Sequence, residues 1–189
     1  LFDMGPYYIT ALVNLLGPVK RVVALGRRGF AERLCRSEAR KGDRLPVEVN
    51  THIAGVLEFA AGALITMVMS FDVRQSNCQL IELHGTEGSL AVPDPNGFGG
   101  EVRYARGFGR GWESVPTPFE YLDNMRSIGL ADMAAGVMCE RPHRCNGELA
   151  LHVLEVMCAL EDAAREGRAR ELSTTCRRPA PLPQNGDLI

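Results

Sequence analysis

Between Val47 and Ala105 the apolar residues fall into short runs joined by turns too tight to hold a crossover. This constrains the fold more than any other feature, because parallel neighbours need a connection of about a dozen residues or more. The runs Val47 to Phe59 and Ala63 to Phe71 are separated by a turn at Gly62. Gln79 to His84 and Ser89 to Val92 flank Gly85-Thr86-Glu87-Gly88, a glycine-bounded hairpin turn, and Glu101 to Ala105 follows the turn cluster Pro93-Asp94-Pro95-Asn96. These strands must therefore pair antiparallel.

Helical periodicity brackets this block. Ile9, Leu12, Val13, Leu15 and Leu16 form one apolar stripe. Asp3 is placed to cap that helix, Pro6 suits its first turn, and Gly17-Pro18 ends it. Val19 to Leu25 then reads as a strand. Near the other end, a helix is expected from about Asn124 to Cys139, with Ile128, Ala131, Met133, Ala134 and Val137 inward. Another runs from Glu148 to Glu166, capped by Asn146, with Val153, Leu154, Met157, Leu160 and Ala164 inward and Gly167 as the stop. The proline-rich stretch CRRPAPLPQNG reads as a tail laid over a surface. A helix, a run of strands and two helices spell α+β: an open, largely antiparallel β-sheet with helices on one face. The other, uncovered apolar face is expected to join a second copy in a homodimer or homotetramer.

Composition narrows the function classes. The 189 residues, 46% of them hydrophobic, suffice for one ordinary domain, 1–189. The net charge of −2 offers no field for nucleic acid, and no apolar run approaches the roughly 20 residues of a membrane span. No signal-peptide pattern opens the chain, and its six cysteines show neither C-x-x-C nor zinc-finger spacing, so reduced thiols in a cytoplasm, with no metal site, are expected. Cys139 and Cys158, inside helical patterns, read as small buried thiols. Residues 27–46 carry seven basic side chains. They read either as a basic patch for a phosphate or as a solvated loop, and the interleaved acids and closing Gly and Pro favour the loop. The tripeptides Gly97-Phe98-Gly99 and Gly107-Phe108-Gly109 do not extend to G-x-G-x-x-G, so neither is a dinucleotide loop.

One pair of residues carries possible proton chemistry. Asp3 and Tyr7 lie four apart at a helix start, stacked on one face near the positive end of the dipole. A tyrosine there can exchange a proton with a substrate oxygen, but its ordinary pKa of about 10 calls for a nearby cation. The alternative is a capping Asp3 with Tyr7 and Tyr8 as packing. His143, in the Pro-His-Arg loop, could reach a sugar hydroxyl or simply sit exposed. His52, His84 and His152 read as structural, and Trp112 and Tyr121 could stack on a sugar ring but read better as core or interface.

The segments LFDMGPYYITALVNLLGPVKRV, HGTEGSLAVPDPNGFGGEV, RPHRCNGELALHVLEVMCALEDAAREG and STTCRRPAPLP, in that order, resemble the C-terminal domain of the Gfo/Idh/MocA family of NAD(P)-dependent oxidoreductases. The resemblance implies an open-sheet substrate and oligomerisation domain, similar in fold to the C-terminal domain of glyceraldehyde-3-phosphate dehydrogenase. It places the acid on Asp3 and proton transfer on Tyr7, and makes Tyr8 and His143 candidates for binding a sugar or cyclitol. It also implies NAD or NADP, bound mainly by an N-terminal Rossmann domain upstream of Leu1 whose Glu-Lys-Pro lysine would tune Tyr7. On that reading this chain by itself is inactive. Two other readings remain: a non-catalytic scaffold that assembles through the sheet, and an NAD-dependent glycosidase relative.

Overall fold

The computed structural model describes residues 1–119, 121–123 and 125–184. Its contacts gather into two compact units, the first made of Leu1–Gln75 with Gly147–Arg178 and the second of Ser76–Asn146 with the described residues from Pro179 onward.

The first unit opens with helix α1, Gly5–Leu16. Pro6 occupies its first turn, and Gly17 ends it at φ 88°, a conformation that costs residues with a Cβ but not glycine. Strand β1, Val19–Arg27, is followed by the short pair β2, Glu32–Leu34, and β3, Arg44–Pro46. Then come β4, His52–Phe59, and β5, Leu64–Ser70, joined through Gly62 at φ 93°. The long helix α3, Gly147–Glu166, and the two-residue β10, Arg170–Glu171, complete the unit. The second unit holds β6, Ile81–His84; β7, Gly88–Val92; β8, Val102–Arg106; β9, Glu113–Val115; and helix α2, Ile128–Met138.

Every strand pair is antiparallel, as the tight turns require. The strands form two four-stranded sheets, β10-β1-β4-β5 and β6-β7-β8-β9, with β2-β3 a separate ribbon. In the first unit, α3 crosses β1 and β4 and also packs on α1. Phe59, Ile53, Leu57 and Val22 from the sheet meet Leu160 and Val156 from α3 and Ile9 and Val13 from α1, all less than 2% exposed. Each such side chain contributes on the order of 1.5–3 kcal/mol by leaving water. Gly55 in β4 permits this packing, because a Cβ there would lie 2.6 Å from the Val23 carbonyl oxygen and 3.1 Å from Leu160.

The opposite face of this sheet is uncovered within the unit. Val23, Leu25, Leu64 and Val68 alternate with the core positions and stand exposed, Leu25 at 74%.

Several expectations need correction. Met4, not Asp3, caps α1, and no side chain bonds to the helix start; Asp3 is exposed in the preceding turn. Residues 27–46 are not a loop throughout, since β2 and β3 pair as a ribbon around a short 3₁₀ turn at Glu38–Arg40. Residues 47–51 precede β4 instead of belonging to it. Strands β9 and β10 are too short to leave a periodic signal. Asn124 lies outside the described residues, and α2 begins at Ile128.

The inward face of α2 also differs. Val137 and Met133 are exposed, whereas Asp132, Ala135 and Gly136 are buried. An ionic tether sets this face: the Asp132 carboxylate accepts from the Arg144 backbone amide at 2.7 Å and pairs with the guanidinium groups of Arg144 and Arg141. Gly136 lets the following loop close over the helix, as a Cβ there would sit 3.0 Å from the Arg141 carbonyl oxygen. On α3, Leu154 points outward while His152 and Val156 face the core. All six cysteines are free; Cys139 and Cys158 are exposed, and Cys176 in the tail is the buried one.

Candidate active site

Asp3, Tyr7 and Tyr8 belong to the start of α1 in the first unit. Close helix packing fixes that start. The Gly5 amide donates to the Leu1 carbonyl at 2.7 Å, and a Cβ on Gly5 would lie 2.9 Å from Met157 Sδ of α3. Glycine in the Asp-Met-Gly-Pro-Tyr-Tyr run thus lets α1 approach α3, a role that sequence reading missed. Pro6 follows, and Tyr7 falls in the first helical turn and is 40% exposed. Neither the Tyr7 hydroxyl nor the Asp3 carboxylate is hydrogen-bonded to another described residue, so both remain available to a ligand. Tyr8 is half-buried.

His143 belongs to the second unit, in the loop after α2. It is half-buried with its Cβ against Gly136. Its neighbour Arg144 braces the loop, bonding to Asp132 on one side and donating to the carbonyls of Ala180 and Pro181, each at 3.0 Å, on the other. Burial works against the Asp132 carboxylate, yet the Arg144 amide and guanidinium, then Arg141, outweigh it and hold its pKa below the usual range. Asp132 is the only charged residue of α2, which is the one signal that could have flagged it.

The remaining histidines are structural. His52 Nδ1 meets Ser70 Oγ at 2.9 Å across β4 and β5, and His84 Nδ1 meets Ser89 Oγ at 2.8 Å across β6 and β7. His152 is fully buried in α3. Its Nε2 accepts the Val19 backbone N–H at 2.9 Å, and its Nδ1 contacts Thr174 Oγ1 at 3.0 Å. Because the Thr174 hydroxyl donates to Glu155, the imidazole must donate to Thr174, which defines a neutral ring protonated at Nδ1. Burial accordingly pushes its pKa down. Glu155 accepts from the amides and hydroxyls of both Ser173 and Thr174. Burial opposes its charge, but those four donors prevail and bring its pKa to about 2. This latch, which sequence reading also missed, holds the tail on α3.

Gly107-Phe108-Gly109 is the hairpin between β8 and β9, with Gly107 and Gly109 at positive φ, and it opens no helix. Among the described residues, no group of three His, Cys, Asp or Glu side chains could hold a metal ion, and no helix is long and apolar enough to cross a membrane.

Residues 1–91 match the family described as the GFO/IDH/MocA C-terminal domain. Over those residues the chain is similar to a Gfo/Idh/MocA C-terminal domain. Solved structures agree in fold. A levoglucosan dehydrogenase in its apo form superposes with a TM-score of 0.73 at 18% identity, over 92% of this chain and 51% of its own. An NAD-binding oxidoreductase from Klebsiella pneumoniae gives 0.70 at 19% identity, over 89% and 49%. An aldose-aldose oxidoreductase from Caulobacter crescentus, complexed with glycerol, gives 0.63 at 26% identity, over 90% and 46%. The chain therefore spans about half the length of the structures it matches. No curated protein matches it in sequence.

Proposed function

We propose that this chain is a Gfo/Idh/MocA C-terminal domain, the substrate-binding and oligomerisation part of an NAD(P)-dependent dehydrogenase acting on a CH–OH group of a sugar or cyclitol. The observation that carries the reading is the Tyr7 hydroxyl, part-exposed at the helix start with no hydrogen-bond partner among the described residues. Asp3, one turn earlier and equally unengaged, would orient the substrate hydroxyl or the phenol, and Tyr7 would move the hydroxyl proton. The nicotinamide would supply hydride acceptance or donation, held by a Rossmann domain outside this chain. Tyr8, beside Tyr7 in the same unit, is proposed to contact the substrate. Matched structures support the substrate class: one is a levoglucosan dehydrogenase in complex with NADH and levoglucosan, another an aldose-aldose oxidoreductase. The exposed face of β1, β4 and β5 is proposed to pair with a second copy.

Following nicotinamide absorbance over a panel of sugars and cyclitols, with the protein carrying a Rossmann domain ahead of Leu1, tests this. Tyr7→Phe should lower kcat by 10²-fold or more, the order of a lost acid–base group, and Asp3→Asn should also lower it. Turnover unchanged in both variants would refute the assignment. The 189-residue chain by itself is expected to bind no NAD(P).

A further inference from the structure

Strand β2 with its flanking residues and the segment just after β5 line an open cleft of ≈ 820 Å³ in the first unit, its walls including Phe30, Arg33, Arg36, Phe71, Asp72 and Arg74. Its volume falls within the range of about 300–1,000 Å³ common to small-molecule sites. Its walls differ from an ordinary solvated surface in three respects.

Arg33 is held in place. Its Nη2 donates to the Asp72 carboxylate at 2.6 Å and to the Phe71 carbonyl at 2.8 Å, and its guanidinium lies 5.5 Å from the centre of the Phe30 ring. Asp72 is itself fixed by the Thr51 hydroxyl at 2.6 Å, which in turn accepts the Gly29 amide at 2.9 Å. A Cβ on Gly29 would lie 2.3 Å from Asp72, so glycine is what lets this network close. Arg33 Nε is buried and lacks a hydrogen-bond partner, an uncompensated donor in the cleft wall.

The charge is unbalanced. Asp72 is already paired with Arg33, and the other acid of the lining, Glu32, is paired with Arg44 at 2.9 Å. Arg36 and Arg74 are exposed and form no ion pair with any described residue. Two free guanidinium groups thus flank a third that is locked. Guanidinium forks match the oxygens of a phosphate bidentately.

The cleft is also apolar between its charges, with Phe30, Phe71 and Val73 each about half exposed. Bare inorganic anions need no such surface, whereas the flat or ring-shaped body of an organic anion does.

We infer that this cleft binds a small organic phosphomonoester, its phosphate on Arg36 and Arg74 and its ring body against Phe30 and Phe71. The phosphate arrives as a dianion, which balances two guanidinium groups. Two of the seven basic residues at 27–46, Arg33 and Arg36, are thereby given a geometric purpose. Association should weaken as salt rises.

Phenyl phosphate titrated into the ¹⁵N-labelled chain, followed by amide shifts, tests the inference. Saturable shifts confined to residues 29–36 and 71–74 are expected, with inorganic phosphate binding the same amides more weakly and phenol not at all. The exposed-site variant R36Q/R74Q should weaken phenyl phosphate at least tenfold while leaving the thermal midpoint within a degree or two. Binding of phenyl phosphate no tighter than phenol, shifts centred elsewhere, or an unchanged affinity in R36Q/R74Q would overturn it.

Discussion

Glu155→Gln isolates the latch that holds the C-terminal tail on α3. The Glu155 carboxylate takes four donors, the amide and hydroxyl of Ser173 and of Thr174. Glutamine keeps the shape but offers one carbonyl oxygen, and its NH₂ group turns a donor toward donors. The pKa of Glu155 falls from 4.5 to about 2 on folding, and at about 1.4 kcal/mol per pH unit this sets a ceiling of about 3.5 kcal/mol. Part-exposure and solvent screening reduce the realised loss to about 1–2 kcal/mol. For a chain of this size, that lowers Tm by about 2–8 °C. The depressed carboxylate stabilises the fold fully above its unfolded value of 4.5, and acidification toward 2 removes that contribution as the group protonates. The deficit of the variant relative to wild type should therefore be full at pH 7 and more than half gone by pH 3. Calorimetry across that range measures it, and hydrogen exchange at the Ser173 and Thr174 amides should quicken in the variant. An equal deficit at pH 7 and pH 3, or none at pH 7, would refute the reasoning.

Other outcomes follow from the same geometry. His152→Leu leaves the Val19 N–H buried without an acceptor and should cost about 2–3 kcal/mol in urea titration. Wild-type stability should also begin to fall below about pH 6.5, because the neutral His152 must charge to take up the proton its unfolded form binds. Gly55→Ala drives a Cβ into the Val23 carbonyl and should destabilise by about 1–3 kcal/mol without affecting Tyr7. Leu25→Glu with Val68→Glu places charge on the exposed sheet face and should shift sedimentation toward monomer if that face joins two copies.

Turn chemistry and periodicity were enough to define the antiparallel order. Gly62, the Gly85–Gly88 turn and Gly17 leave the chain few other options, and these signals are local. The stripe of α1 was legible for the same reason, because its apolar residues recur at the helical period and all pack one way. The site was legible only in part. Asp3 and Tyr7 could be paired from their spacing, and the structure keeps them unengaged at the start of α1. Gly5 could not be read this way, because its value lies in Met157, which is distant in sequence.

The sequence by itself determined the longer helices and strands, the antiparallel turns between them, and the family resemblance, but not the short strands β2, β3, β9 and β10. Only the tertiary structure decided which face of α2 turns inward, because hydrophobicity favoured Val137 and Met133 while the bonds from Asp132 to Arg141 and Arg144 pulled the opposite side under the loop. It also decided that residues 27–46 fold into a ribbon whose Arg33 is locked by Asp72, and that Glu155 clasps a tail with no periodicity of its own. Propensity and periodicity act over one or two turns of chain. Ion pairs and buried hydrogen bonds join residues remote in sequence, and only their positions in the folded molecule bring those partners together.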